Sequence, residues 1–140
     1  MVYYLPIVLV IVSNVFYHIF QKMIPNNVNP MLSLIITYIT AALLSLIILP
    51  WCMKDTSLAA EVRKINWASF ALGASIIGLE LGFLLAYRVG WNISIGSLIA
   101  NTAVSLLLIP IGILLFKETL SIPNIIGVLL CVSGLVLINK

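Results

Sequence analysis

Residues 67–88 read WASFALGASIIGLELGFLLAYR, and Glu80 is the only charged residue in this run before Arg88 closes it. A helix of about 20 apolar residues crosses the roughly 30 Å hydrocarbon core of a bilayer, so the run predicts a transmembrane helix. The whole chain has the same character: 63% of its 140 residues are hydrophobic and 8% are charged, with a mean hydropathy of +1.24. Typical soluble domains are about 25% charged. We therefore expect lipid to surround most of the surface.

Further hydrophobic runs lie on both sides of this segment. The hydrophobic pattern is interrupted at residues 25–30, which read PNNVNP, and at Lys117-Glu118-Thr119. Prolines, turn-forming asparagines and charged residues end apolar helices. The pattern predicts an all-α, polytopic membrane protein with one transmembrane domain over residues 1–140. The five predicted helices of this domain span roughly 2–21, 31–52, 67–88, 92–116 and 122–139. The polar connector at residues 54–66 is either a short interfacial helix or a solvated loop, and the sequence leaves both open. The first run has no basic segment before it and no small-residue cleavage site, so we expect a retained helix.

The basic residues divide almost evenly between the two membrane faces. Four lie on the face of the N-terminus and three on the opposite face: Lys54, Arg63, Lys64 and Lys117 against Lys22, Arg88 and Lys140. Cytoplasmic loops normally carry the excess of Lys and Arg, so a difference of 4 − 3 = 1 gives a weak preference for a cytoplasmic N-terminus. A chain with so weak a topology preference could insert in both orientations and form an antiparallel homodimer. It could instead pair with a homologous, oppositely oriented subunit.

Polar side chains form stripes on the predicted helices. Asn14 and His18 share one face of the first helix with Gln21, and Ser97 and Asn101 share one face of the fourth. Polar groups in hydrocarbon normally face other helices or a cavity. We therefore predict a substrate cavity lined by Asn14, His18, Tyr38, Glu80, Ser97 and Asn101. The alternative is a set of interhelical hydrogen bonds that holds no ligand.

Glu80 is the only acidic residue well inside a hydrophobic segment. A carboxylate near the membrane midplane is costly when it is charged and unpaired. One hypothesis is that Glu80 couples transport to a proton or another cation. The other is that a protonated Glu80 is simply satisfied by neighbouring polar groups.

Small residues recur along two helices. On the third predicted helix Ala74, Gly78, Gly82 and Ala86 follow four-residue spacing, and Glu80 lies about 200° around the axis from Gly78 and Gly82. Such stripes let helices approach closely, so we expect this face to make a packing or dimer contact. Gly127 and Gly134 form a similar seam on the last helix, which either packs internally or dimerises.

Short motifs in the C-terminal half resemble a known family. They are Ala86-Tyr87-Arg88-Val89-Gly90, the run from Ser97 to Thr102, Ile109-Pro110, Phe116-Lys117-Glu118, and Gly127 with Gly134. In this order they resemble the EamA domain of the drug/metabolite transporter superfamily, which has five helices. The N-terminal half matches that domain by its helix pattern more than by its residues.

The resemblance implies a half-size transporter. Most EamA relatives carry two such domains in opposite orientation, whereas this sequence resembles one. The related small multidrug resistance proteins carry an essential glutamate in their first helix; this chain has Asn14 and His18 there, so that role is not transferred to Glu80.

From the resemblance we expect a secondary transporter subunit for a small organic metabolite or drug-like solute, in the cytoplasmic membrane of a bacterium or archaeon. The alternatives are a flippase subunit for a lipid-linked sugar and a non-transporting scaffold or accessory subunit. The expected partners are membrane lipid, the solute and a second subunit. No enzyme, cofactor, metal or nucleic-acid motif is present in the sequence.

Overall fold

The computed structural model describes residues 3–53 and 57–138, apart from the side chain of Leu135. These residues form helices with no strand between them, which confirms the all-α fold class. The six helices, in chain order, are α1 (Leu5–Met23), α2 (Pro30–Cys52), α3 (Leu58–Val62), α4 (Trp67–Arg88), α5 (Ile93–Phe116) and α6 (Ile122–Ile138).

Asparagines start two of the long helices. Asn29 Oδ1 accepts hydrogen bonds from the Met31 and Leu32 backbone N–H groups, at 2.9 and 3.4 Å, and Pro30 occupies the first turn of α2. Asn66 Oδ1 likewise accepts from the Ala68 N–H at 3.0 Å and caps α4. An N-cap side chain satisfies donors that the first helical turn leaves unpaired. These caps fix where α2 and α4 begin.

Helix α1 continues two residues past the predicted end. Its last turn contains Gln21 and Lys22, whose side chains bind backbone carbonyls of α4. The helix ends where Ile24 takes an extended conformation (φ −62°, ψ 124°) directly before Pro25, because a residue that precedes proline is disfavoured in the helical region. At the other end, predicted residue 2 lies outside the described chain and the helix begins at Leu5.

Helix α5 ends at an unusual turn. Lys117 has a left-handed backbone (φ 54°, ψ 33°), and the N–H groups of Lys117 and Glu118 both reach the Gly112 carbonyl. The Glu118 side chain folds back over Gly112, where an added Cβ would lie 2.5 Å from Glu118 Oε2. Glycine at position 112 therefore leaves room for this carboxylate.

The chain divides into two compact units, Met1–Val89 and Gly90–Lys140. In the first unit α4 packs against both α1 and α2, so it is the central helix of the unit. The short helix α3 in the connector is exposed and carries a Lys64–Glu61 ion pair of 2.6 Å on its C-terminal side. In the second unit α5 packs against α6.

The exposure pattern is that of a protein surrounded by lipid. Four described helices are long and apolar enough to cross a membrane, namely α1, α2, α4 and α5, and α6 is a shorter apolar helix of 17 residues. Most of their large apolar side chains are exposed, whereas His18 and Gln21 are buried. Polar groups inside and apolar groups outside are expected where hydrocarbon is the solvent. The chain is a polytopic membrane protein.

Candidate functional site

The inner face of α4 forms the centre of the first unit. Glu80, Leu84 and Tyr87 follow i, i+4, i+7 spacing and so share one side of the helix. Leu84 is 1% exposed and Tyr87 is buried, whereas Glu80 is half-buried. The face that carries the carboxylate is therefore the face that packs against α1 and α2.

Glu80 lines a groove of about 430 Å³ between α1 and α2. Its polar lining residues are Tyr17, Gln21, Ser33, Thr37 and Glu80, and its apolar lining residues are Phe20, Ile24, Pro25, Val28 and Ile36. We call this cavity the Glu80 groove. A groove that combines apolar surface with a few polar groups is typical of sites for small organic ligands.

The backbone carbonyl of Glu80 accepts a hydrogen bond, whereas its carboxyl group remains available to bind a proton or a ligand. Gln21 Nε2 donates a hydrogen bond to the Glu80 carbonyl at 2.7 Å. Among the described residues, no hydrogen bond or ion pair engages the Glu80 carboxyl oxygens. The carboxyl group can therefore take a proton or bind a ligand without first breaking a contact within the described chain.

An aromatic cluster with one histidine lies between α1 and α4. His18 Nδ1 is 2.8 Å from the Tyr87 hydroxyl, and the His18 ring meets Phe83 edge to face with centroids 4.7 Å apart. His18 is 6% exposed, and its Nε2 atom has no partner in the described structure. The hydroxyl groups of Tyr17 on α1 and Tyr38 on α2 are also buried and have no hydrogen-bond partner in the described structure.

The buried polar atoms without a hydrogen-bond partner indicate what kind of molecule the first unit can bind. Burying a polar group without a hydrogen bond costs several kcal/mol in an apolar medium, at roughly 2–7 kcal/mol per group. Three such atoms lie on the helices that surround Glu80, and one belongs to Tyr17, which also lines the Glu80 groove. Water or a polar ligand in this region would satisfy them.

Four side chains connect the C-terminal part of α4 to α1 and to the loop that follows α1. Besides the contacts of His18 and Gln21, Lys22 Nζ donates to the Tyr87 carbonyl at 3.0 Å. Arg88 Nη2 donates to the carbonyls of Pro25 and Val28, at 3.2 and 2.7 Å. Cations at the C-terminal end of a helix are favoured because its last carbonyls are unpaired and carry partial negative charge. This end of the first unit is therefore joined by polar contacts.

A second groove lies within the second unit, between α5 and α6. It measures about 420 Å³ and is lined by Asn101, Thr102, Ser105, Leu106, Ile109, Asn124, Gly127, Val128 and Cys131. The Ser105 hydroxyl donates to the Asn101 carbonyl at 2.8 Å, so it is already engaged within its own helix. The amide side chains of Asn101 and Asn124 form no hydrogen bond in the described chain.

The six predicted site residues fall in different places. Glu80 lines the Glu80 groove, whereas His18 is not among the lining residues and contacts Tyr87. Tyr38 lines a neighbouring cavity of about 320 Å³ with Gly73, Ile76 and Ile77.

The other three are Asn14 in the first unit and Ser97 and Asn101 in the second. Asn14 is half-buried on α1 and lines neither groove. Asn101 lines the α5–α6 groove, and the Ser97 hydroxyl donates to the Ser94 carbonyl at 3.2 Å.

Sequence reasoning missed Tyr17, Gln21 and Thr37 as groove residues and Asn124 in the second unit. Gln21 was detectable, because it continues the face of Asn14 and His18. Tyr17 is offset from that face by one residue. Its role depends on how α1 is rotated against α4, which the stripe alone does not specify.

The small-residue stripe of α4 faces away from this site. An added Cβ at Gly78 or Gly82 would meet no atom within 4 Å, and the same holds at Gly127 and Gly134. Ala74 is exposed and Ala86 is half-buried. Within its own described unit, therefore, no helix packs closely on each of these glycines, and their contact with another helix or chain stays a prediction.

Comparison with known proteins gives one family. The model of the EamA-like transporter family matches residues 1–140. No curated protein and no solved structure gave a significant match.

Proposed function

We propose that this chain, which belongs to the EamA-like transporter family, is one subunit of a secondary transporter that works by alternating access. Membership in the family implies transport of small solutes across a membrane. We further propose that the solute is a small organic metabolite or drug-like molecule, and that the membrane is the cytoplasmic membrane of a bacterium or archaeon. Two chains would assemble to form the transport path.

The Glu80 groove is the observation that carries this proposal. A carboxyl group on a membrane-spanning helix has no hydrogen bond or ion pair within the described chain and lines a cavity of about 430 Å³. Hydrocarbon would force such a group to stay protonated or to find a partner. In a groove that opens to water, a proton and a solute could compete for it.

The lining of the groove suggests how a solute would be held. The hydroxyl groups of Tyr17 and Thr37 and the amide of Gln21 offer hydrogen bonds, and Ile36 and Phe20 offer apolar surface. Glu80 would bind a proton in one state and a polar or cationic part of the solute in the other.

Assembly from two chains is the part of the proposal that concerns a second repeat. Transporters built from inverted repeats place the site between two repeats of opposite orientation, and residues 1–140 match one family domain, so a second chain would supply the second repeat. The near balance of basic residues allows insertion in both orientations. We favour an antiparallel homodimer, and pairing with an oppositely oriented homologue is the alternative.

Flux in proteoliposomes tests the role of Glu80. The purified chain would be reconstituted and offered a panel of organic cations, amino acids and sugars under an imposed pH gradient. Wild-type protein should move at least one of these solutes at a rate that depends on the gradient. Glu80→Gln keeps the size and hydrogen bonding of the side chain but removes its titration, so it should still assemble and bind while losing gradient-driven flux.

Glu61→Gln is the matched control, since Glu61 lies on the exposed connector helix α3. It should transport like wild type. Gradient-dependent flux that survives intact in Glu80→Gln would show that Glu80 only satisfies its neighbours. No flux of any solute, in any pairing of subunits, would instead support a scaffold or accessory subunit.

One observation favours the lipid-substrate alternative. The Glu80 groove lies between α1 and α2, which each pack on α4 but not on each other in the described chain. A groove that is open at the side would admit the headgroup of a lipid-linked sugar while its chain stays in the bilayer. Translocation of a fluorescent lipid-linked sugar across vesicles, without flux of free solutes, would identify a flippase.

A further inference from the structure

The loop between α1 and α2 is held by one side chain of α4. The loop forms a turn in which the Val28 N–H donates to the Pro25 carbonyl at 3.2 Å. Arg88 Nη2 donates to the carbonyls at both ends of this turn, at 3.2 Å to Pro25 and 2.7 Å to Val28. The two hydrogens of this nitrogen are thus matched to two acceptors.

The same two loop residues belong to the Glu80 groove. Pro25 and Val28 both line it, together with Ile24 from the end of α1. Arg88 itself is half-buried and is not a lining residue. It therefore acts on the groove through the backbone of the loop.

Other contacts hold the helix ends on both sides of this turn. After the turn, Asn29 caps α2 and so fixes the start of that helix. Before the turn, Gln21 and Lys22 bind α4 carbonyls and fix the end of α1. The turn between these fixed points is joined to α4 through Arg88.

We propose that Arg88 is a positioning residue that closes the loop end of the Glu80 groove by holding the carbonyls of Pro25 and Val28. Release of these two hydrogen bonds lets the turn move away and opens the groove at this membrane face. The role as a transport gate rests on the function proposed above, but the closure itself can be measured without any solute.

Arginine suits this task better than lysine. A guanidinium group presents several N–H donors in a fixed plane, whereas an ammonium group is a single compact centre on a flexible stem. Arg88→Lys keeps the positive charge, and with it the contribution to membrane orientation, but cannot reproduce the planar two-carbonyl contact. It therefore separates the hydrogen-bond geometry from the charge.

Thiol accessibility provides the test. A reporter, Ser33→Cys, is placed on a half-buried groove residue one turn into α2, in full-length protein whose Cys52 and Cys131 are changed to alanine. The protein is held in lipid nanodiscs, and its labelling rate with a membrane-impermeant maleimide is measured. Arg88→Gln should raise the rate at least fivefold, and Arg88→Lys should raise it by an intermediate factor. Arg63→Gln, which removes an exposed charge from the connector, should leave it unchanged.

A second reporter separates opening from unfolding. Leu84→Cys sits on the most deeply buried side chain of α4, and its labelling should stay slow in every Arg88 variant. A Ser33→Cys rate within twofold of the parent in Arg88→Gln overturns the proposal. So does a parallel rise at both reporters, which would mean that Arg88 stabilises the fold. A parental rate in Arg88→Lys would overturn the claim that the planar guanidinium group is required to hold the loop. Because no solute is used, a transport failure of the protein would not affect these outcomes.

Discussion

At the scale of single residues, His18 and Tyr87 form the most deeply buried polar pair described between α1 and α4. Tyr87→Phe keeps the ring beside Phe83 but removes the hydroxyl group 2.8 Å from His18 Nδ1. Both ring nitrogens of His18 would then lack a partner. We expect a loss of stability on the order of 1 kcal/mol, the usual scale for a hydrogen bond in a membrane protein.

Thermal unfolding in detergent, followed by circular dichroism, measures this effect. Tyr4→Phe is the control, because Tyr4 is exposed at the start of the chain and should leave the Tm unchanged. If the two variants unfold at the same temperature, the His18–Tyr87 contact contributes nothing measurable.

Residues differ in how far the sequence reveals their roles. Glu80 was identifiable because a single acid in an apolar run is costly wherever it points. The partner of His18 was not, because contacts across helices depend on the rotation of α1 against α4. Asn14, His18 and Gln21 share a stripe, yet His18 and Gln21 are buried while Asn14 is half-buried.

At the scale of helices, α4 has two faces with different surroundings. One packs on α1 and α2, and the other presents Gly78 and Gly82 with no atom near their Cβ positions. Gly78→Leu should therefore leave the folded single chain intact but weaken assembly of two chains, since a bulky side chain prevents close helix approach. Crosslinking or energy transfer between labelled chains would report the change, with circular dichroism as the measure of folding.

Leu85→Ala is the comparison for this variant, because Leu85 is another exposed residue of α4. It should reduce assembly less than Gly78→Leu. Equal tolerance of the two substitutions would show that the glycine spacing is incidental.

Helix ends show where reasoning from sequence succeeds. Asparagine caps and prolines fix the starts of α2 and α4, which lie within one residue of the predicted positions. Helix α1 ends two residues beyond the predicted position, because it continues to Met23 and stops only at the extended residue Ile24 before Pro25.

At the scale of the whole molecule, we expect orientation in the membrane to depend on few charges. Changing Asn26 and Asn27 to lysine adds two positive charges to the loop between α1 and α2. This should place that loop in the cytoplasm in nearly all copies, because basic loops stay on the cytoplasmic side. If the active form is an antiparallel homodimer, the variant should lose transport in cells.

Rescue by a complementary variant provides the control. Ala59→Lys with Ala60→Lys adds two charges to α3 on the opposite face and should lock the other orientation. Each variant alone should be inactive, and co-expression of the two should restore transport. Full activity of the Asn26/Asn27 variant alone, with one orientation verified by cysteine labelling of its termini, would contradict the antiparallel assembly.

The polar contacts between α1 and α4 also have a mechanical consequence. They are gathered between residues 18–28 and 80–88, so α1 is anchored at one end. From His18 to Leu5 the helix extends 13 residues, or about 20 Å at 1.5 Å per residue. A tilt of only about 10° around the anchored end would carry the far end through roughly 3.4 Å by the same geometry, which is more than the diameter of a water molecule. Small rotations of α1 about its anchored end would therefore be amplified at the membrane face where Leu5 lies.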